Sequence, residues 1–158
     1  MITLELGERS ALFRDDGRPV AAPLPLGPTL LRARWLRHDP PQPQELEAAI
    51  EAVEDLVMPL HGRWAATDTL QVRADDAALQ GIAALGQSFT RDQLEELFNR
   101  SAAIVLGRPA SNDPALAQPG VIAGLLILRE VMHHLGFTQL RLQPMVMTRA
   151  LGNCANGS

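Results

Sequence analysis

The chain has no lysine and no tyrosine, a single cysteine and only six aromatic residues (Phe 4, Trp 2). Without lysine there is no Schiff-base chemistry and no P-loop lysine; without tyrosine there is no phenolic acid. One cysteine, Cys154, closes no internal disulfide and builds no cysteine-based zinc site, which points to a reducing compartment, the cytoplasm. Its polar neighbours, Gly152 to Ser158, supply neither the base nor the electropositive pocket of a catalytic thiol. Positive charge is also scarce: 14 arginines face 18 acidic residues, for a net charge of -4. That balance disfavours nucleic acid and anionic membranes as partners. The N-terminus shows no basic start leading into an apolar stretch. The longest apolar run, Val121 to Leu128, ends at Arg129-Glu130, well short of the ~20 residues a membrane span needs.

What is present is an ordinary globular balance, 46% hydrophobic and 20% charged over 158 residues. A domain of this size buries roughly 68–70% of its unfolded surface. Ile2, Leu4 and Leu6 alternate with Thr3 and Glu5, the period of a half-buried strand. A turn near Gly7, the strand Ala11–Phe13, a hairpin closed at Gly17 and a returning strand over 20–24 complete an expected three-strand meander. A short helix is expected over 29–36. The proline-rich segment Asp39-Pro40-Pro41-Gln42-Pro43 then serves as a stiff lead-in. Leu46, Ala49, Ile50, Val53, Leu56 and Val57 fall at helical spacing opposite a row of glutamates, with Pro59 beyond the end. A strand is expected over 69–72, followed by a helix that Asp75 or Asp76 caps and Gly86 stops. Thr90-Arg91-Asp92-Gln93 reads as a capping box. Asp113-Pro114 reads as a cap and first residue of a helix, Pro119-Gly120 as an interruption, and Val121–Leu135 as a strongly apolar helix ended by Gly136. A strand over 137–142 and a last helical turn or two over 145–151 close a single layered α/β domain, 1–152, with a flexible tail, 153–158.

This order resembles the second, C-terminal lobe of the exopolyphosphatase/guanosine pentaphosphate phosphatase (Ppx/GppA) family. That lobe is RNase H-like and belongs to the actin-like ATPase fold. The resemblance spans Ile2 to about Leu151. Its most specific piece runs from Gly124-Leu125-Leu126-Ile127-Leu128 through Gly136-Phe137 to Leu140-Arg141-Leu142. Asp39-Pro40-Pro41, the helix from Glu45 to Met58, and Phe89-Thr90-Arg91-Asp92-Gln93-Leu94 also fit. The resemblance implies a mixed sheet that starts with the meander, helices packed on it, and phosphate-binding loops beyond the strands.

Those loops depart from the family pattern. Asp-Ile-Gly-Gly-Gly-Ser-x-Glu corresponds to Glu5-Leu6-Gly7-Glu8-Arg9-Ser10-Ala11-Leu12, so two glycines that let amides approach phosphate are replaced. Glu8 beside a phosphate brings repulsion of about 4 kcal/mol at ~4 Å and an effective dielectric of about 20. Gly-x-Ser-Gly-Thr corresponds to Arg73-Ala74-Asp75-Asp76-Ala77. Ser-Asp-Gly-x-x-Arg-Glu-Gly corresponds to Gln143-Pro144-Met145-Val146-Met147-Thr148-Arg149-Ala150, where only Arg149 remains, shifted by one. The family's general base lies on its first lobe, which has no counterpart in these residues.

Folding signals kept beside altered site loops imply a non-catalytic binding or assembly module, with no catalytic residue and no cofactor. It would pair with itself or with a protein covering the lobe face, and a phosphate-containing ligand would meet the remnant Gly7, Arg9, Ser10 and Arg73. In the alternative reading the chain is a hydrolase for polyphosphate or guanosine pentaphosphate, with Asp75 or Asp76 on Mg²⁺ and Arg9 or Arg73 on phosphate. A third reading is an unrelated α/β partner-binding protein. Other candidates read as structural. His133 and His134 are neighbours about 100° apart on a helix and do not share one ion. His38, His61 and Asp68 are loop residues. Arg32, Arg34 and Arg37 with Trp35 only partly share a face, and Met145 and Met147 read as fillers.

Overall fold

A computed structural model describes residues 1–74 and 77–144. Six strands form one mixed sheet: β1 (Ile2–Leu6), β2 (Ala11–Asp15), β3 (Arg18–Pro19), β4 (Thr69–Ala74), β5 (Ser88–Thr90) and β6 (Gln139–Pro144), in the order β3-β2-β1-β4-β6-β5. The meander is antiparallel, whereas β1, β4 and β6 run parallel through the centre. β5 is antiparallel to β6 at the edge. The expected α/β lobe is therefore the observed one.

Alternation in the strands sorts the two faces. Ile2, Leu4, Leu6, Ala11, Phe13, Leu70, Val72 and Leu140 are buried on one face. Thr3, Glu5, Gln71 and Arg73 alternate with them and are only partly buried. On that polar side Arg14 pairs with Glu5. Five helices follow: α1 (Pro28–Arg34), α2 (Pro43–Val57), α3 (Ala77–Ala83), α4 (Arg91–Val105) and α5 (Pro119–Leu135). Twelve of the 17 residues of α5 are buried, as a helix apolar on all sides requires. Each of the other four helices packs against it, and its side chains join those of the sheet in one apolar cluster. On α5, Gly124 lets α3 come close: a Cβ there would stand 2.8 Å from Ile82 Cδ1 and 3.0 Å from Leu79 Cδ2.

Local signals behave as their chemistry dictates. Asp16 and Gly17, both at positive φ, close the first hairpin. Thr90 Oγ1 accepts from the Gln93 amide (3.1 Å) and Gln93 Oε1 from the Thr90 amide (2.9 Å), the expected capping box. Gly136, at φ 79°, ends α5 in the left-handed conformation.

Several boundaries differ from the sequence expectation. The returning strand over 20–24 is reduced to β3, with the Val20 amide bonded to Phe13 O (3.0 Å) and Leu24 bridging Ala11. Pro19, Pro23 and Pro25 have no N–H to give, so a continuous ladder cannot form. α1 runs over Pro28–Arg34 rather than 29–36. Pro43 is not part of the lead-in but the first residue of α2, where its missing N–H costs nothing. Asp113-Pro114 starts no helix: a 3-10 turn over Ala110–Asn112 and a further turn occupy this stretch, and Asp113 binds Arg100 instead. Pro119 is the reason, because it holds Gln118 extended (φ -62°, ψ 126°) and so begins the helix rather than interrupting it. The strands expected over 69–72 and 137–142 are β4 and β6, which end at Ala74 and Pro144. β5, only three residues long, carried no readable period. The capping role of Asp75 or Asp76, the turns over 145–151 and the tail 153–158 lie outside the described residues.

Candidate functional site

Three parallel strands end level with one another. Leu6 is in register with Ala74, and Ala74 with Pro144. Of the segments that follow them, Gly7–Ser10 is described, whereas Asp75-Asp76 and the chain from Met145 lie outside the described residues. The carboxyl ends of parallel strands are where open α/β sheets place their ligands.

The first of these segments is a tight turn. The Gly7 amide donates to Ser10 O (2.9 Å), and the Ala11 amide to Leu24 O (3.0 Å). The carbonyls of Gly7 and Glu8 face the start of α1. Glu8 O accepts from the Leu30 amide (3.1 Å). Gly27 presses so closely on this turn that a Cβ there would overlap the carbonyl carbon and oxygen of Glu8 and the carbonyl oxygen of Gly7. Gly7 itself has no such constraint: its φ is not positive, and a Cβ would meet Ser10 O at an ordinary 3.5 Å. Glu8, Arg9 and Ser10 are exposed. Arg73 is half-buried on the polar face of β4, opposite Glu5 of β1. Gly7, Arg9 and Ser10 thus share one turn, while Arg73 stands one position before the end of its strand. Asp75 and Asp76 lie outside the described residues, and among those described no three His, Cys, Asp or Glu side chains gather where they could hold a metal ion.

The remaining candidates are dispersed. His38 Nδ1 lies 3.1 Å from Glu45 Oε2 at the start of α2. Glu45 Oε1 accepts from the Gln42 amide (2.8 Å), and Oε2 from the Arg37 amide (3.1 Å). The Gln42 amide is the main cause that holds this carboxyl down at about 2; partial burial opposes it, and His38 and the Arg37 amide assist. His61 and Asp68 border a cavity of about 300 Å³ with Trp64, at the opposite end of the parallel strands. There Trp64 stacks between Phe13 and Phe137, with centroids 5.7 and 6.1 Å away. His133 is exposed, while His134 Nε2 reaches the buried Glu130 (2.8 Å). Glu130 also accepts from Arg129 (2.9 Å), whose guanidinium binds Glu95 (2.8 Å) and lies 4.7 Å over the Phe98 ring. Arg129 thereby ties α5 to α4.

The sequence reading missed a groove between α1 and α2, about 270 Å³ in volume, lined by Pro25, Leu26, Leu30, Trp35, Val53 and Leu56. Arg34 and Asp55 border it on opposite sides. Trp35, the residue that caps the end of α1, has 40% of its surface exposed. That exposure appears only once α2 is set beside α1. No helix among the described residues is long and apolar enough to cross a membrane.

A two-faced mixed sheet with a buried central helix defines one lobe of the RNase H-like, actin-like ATPase type. Neither a protein-family model nor a curated protein matches the sequence. Among solved structures, the fold is that of Ppx/GppA proteins. The type II variant of the Aquifex aeolicus Ppx/GppA phosphatase superposes with a TM-score of 0.69 at 17% identity, over 90% of this chain and 52% of its own. Another structure of the Aquifex aeolicus family member gives 0.68 at 17% identity, over 96% and 56%. An exopolyphosphatase-like protein gives 0.61 at 12% identity, over 90% and 54%. The chain spans about half the length of these proteins, as a single lobe would.

Proposed function

We propose that the chain is a non-catalytic Ppx/GppA-like lobe that acts as a binding or assembly module in the cytoplasm. The observation that carries this reading is the closure of the first strand-end turn by its own backbone. The Gly7 amide is engaged by Ser10 O, and the Gly7 and Glu8 carbonyls are turned onto Gly27 and Leu30. A phosphate cradle needs several amides pointing at one anion; this turn commits one of its amides internally, aims two carbonyls at α1 and carries the exposed carboxylate of Glu8. Arg9 remains available for loose anion contact, without the geometry of phosphoryl transfer. Phosphate release from inorganic polyphosphate with Mg²⁺ tests the reading. The expected result is no turnover above blank. Turnover that disappears in Asp75→Asn would overturn it in favour of a hydrolase.

A further inference from the structure

We propose that the groove between α1 and α2 is the face on which a second copy of this chain docks about a two-fold axis. The proposal rests on the assembly reading above and names its surface. The groove floor is apolar, and Trp35 stands over it with 40% of its surface exposed. A large aromatic beside an apolar concavity is the usual anchor of a protein interface. The two walls carry opposite charge. α1 contributes Arg32 and Arg34 and no carboxylate. α2 contributes Glu45, Glu47, Glu51, Glu54 and Asp55 and no basic residue. Of these, Asp55 lines the groove, across from Arg34 of α1, and it is exposed.

Opposite walls choose among occupants. A small apolar ligand has no use for either charge, and a uniformly charged partner satisfies one wall while opposing the other. A two-fold axis brings each surface against its own counterpart, so that residue i meets j and j meets i. Arg34 of one copy then faces Asp55 of the other, twice, and each Trp35 enters the other copy's groove. Within one chain the same charges have no such contact, since Arg34 and Asp55 border the groove without forming an ion pair.

Sedimentation equilibrium of the full chain across a range of concentrations, alongside far-UV circular dichroism to verify folding, tests the proposal. The expected result is a monomer–dimer equilibrium that weakens with salt. Trp35→Glu is expected to weaken it at least about tenfold. Arg34→Glu and Asp55→Arg are each expected to weaken it, and the double swap to restore it to within about threefold of the parent. A folded chain that stays monomeric, a dimer indifferent to Trp35→Glu, or a double swap no better than the single ones would overturn the proposal. A monomer hands the groove to some other occupant. A monomer that releases no phosphate refutes the docking but leaves the non-catalytic reading standing; a dimer that releases phosphate does the reverse.

Discussion

Helices α1 and α2 begin alike and are secured differently. Each has proline at its first position, after a residue in extended conformation. At α2 the exposed amides are met locally: Glu45 reaches back to the Gln42 amide three residues away. At α1 the partner is remote, the Glu8 carbonyl of the β1–β2 turn accepting from Leu30 while Gly27 lies flat against that turn. A start closed by a side chain depends on pH and on one carboxylate. A start closed by another stretch of backbone depends on shape, and it binds the helix to the sheet edge in the same contact. The arrangement that fixes α1 also fills space in front of the turn where an anion would approach.

The contrast is broken most directly at Gly27. A methyl there meets backbone rather than a movable side chain, so Gly27→Ala is expected to cost about 3 kcal/mol or more. Urea unfolding measures this, and a loss no larger than that of a surface substitution would show that the close approach is not needed. The local start gives a smaller effect with a pH signature. The folded pKa of Glu45, about 2, lies below its ordinary 4.5. A carboxyl held down in the folded state stabilises fully above its unfolded value and loses that contribution as pH falls through the folded one. Glu45→Ala is therefore expected to cost about 1 kcal/mol at neutral pH. The gap to the parent should close as pH falls from about 4.5 toward 2; a gap unchanged across that window would mean the carboxylate is not the cap. The smallest effect belongs to Gly7→Ala. With no positive φ and only ordinary van der Waals contact for a Cβ, it is expected to stay within about 0.5 kcal/mol. A large loss there would restore to Gly7 the backbone role that Gly27 holds.

The same contrast explains what was legible in the sequence. Alternation gave β1, spacing gave α2 and α5, and the caps at Thr90 and Gly136 could be read because their partners lie within a few residues. Pro43 and Pro119 were misjudged as breakers because proline at a first helical position and proline in a linker look the same without the residues that follow. β5 has three residues and no period; it exists because β6 offers an edge. At the candidate site, Gly7 drew attention through its motif and Gly27 none, since only the fold brings Gly27 against Glu8. The groove at Trp35 was hidden for the same reason: half its wall comes from α2, some 20 residues further along the chain.

The parallel centre of the sheet also governs how the molecule comes into being. β1 must wait for residues 69–74, and β4 for residues 139–144, before either has both neighbours. α5, against which every other helix packs, is made late as well. Contacts so distant along the chain form slowly. β1 thus leaves the ribosome with an open strand edge and without the central helix α5 to pack on, so early folding is exposed to aggregation.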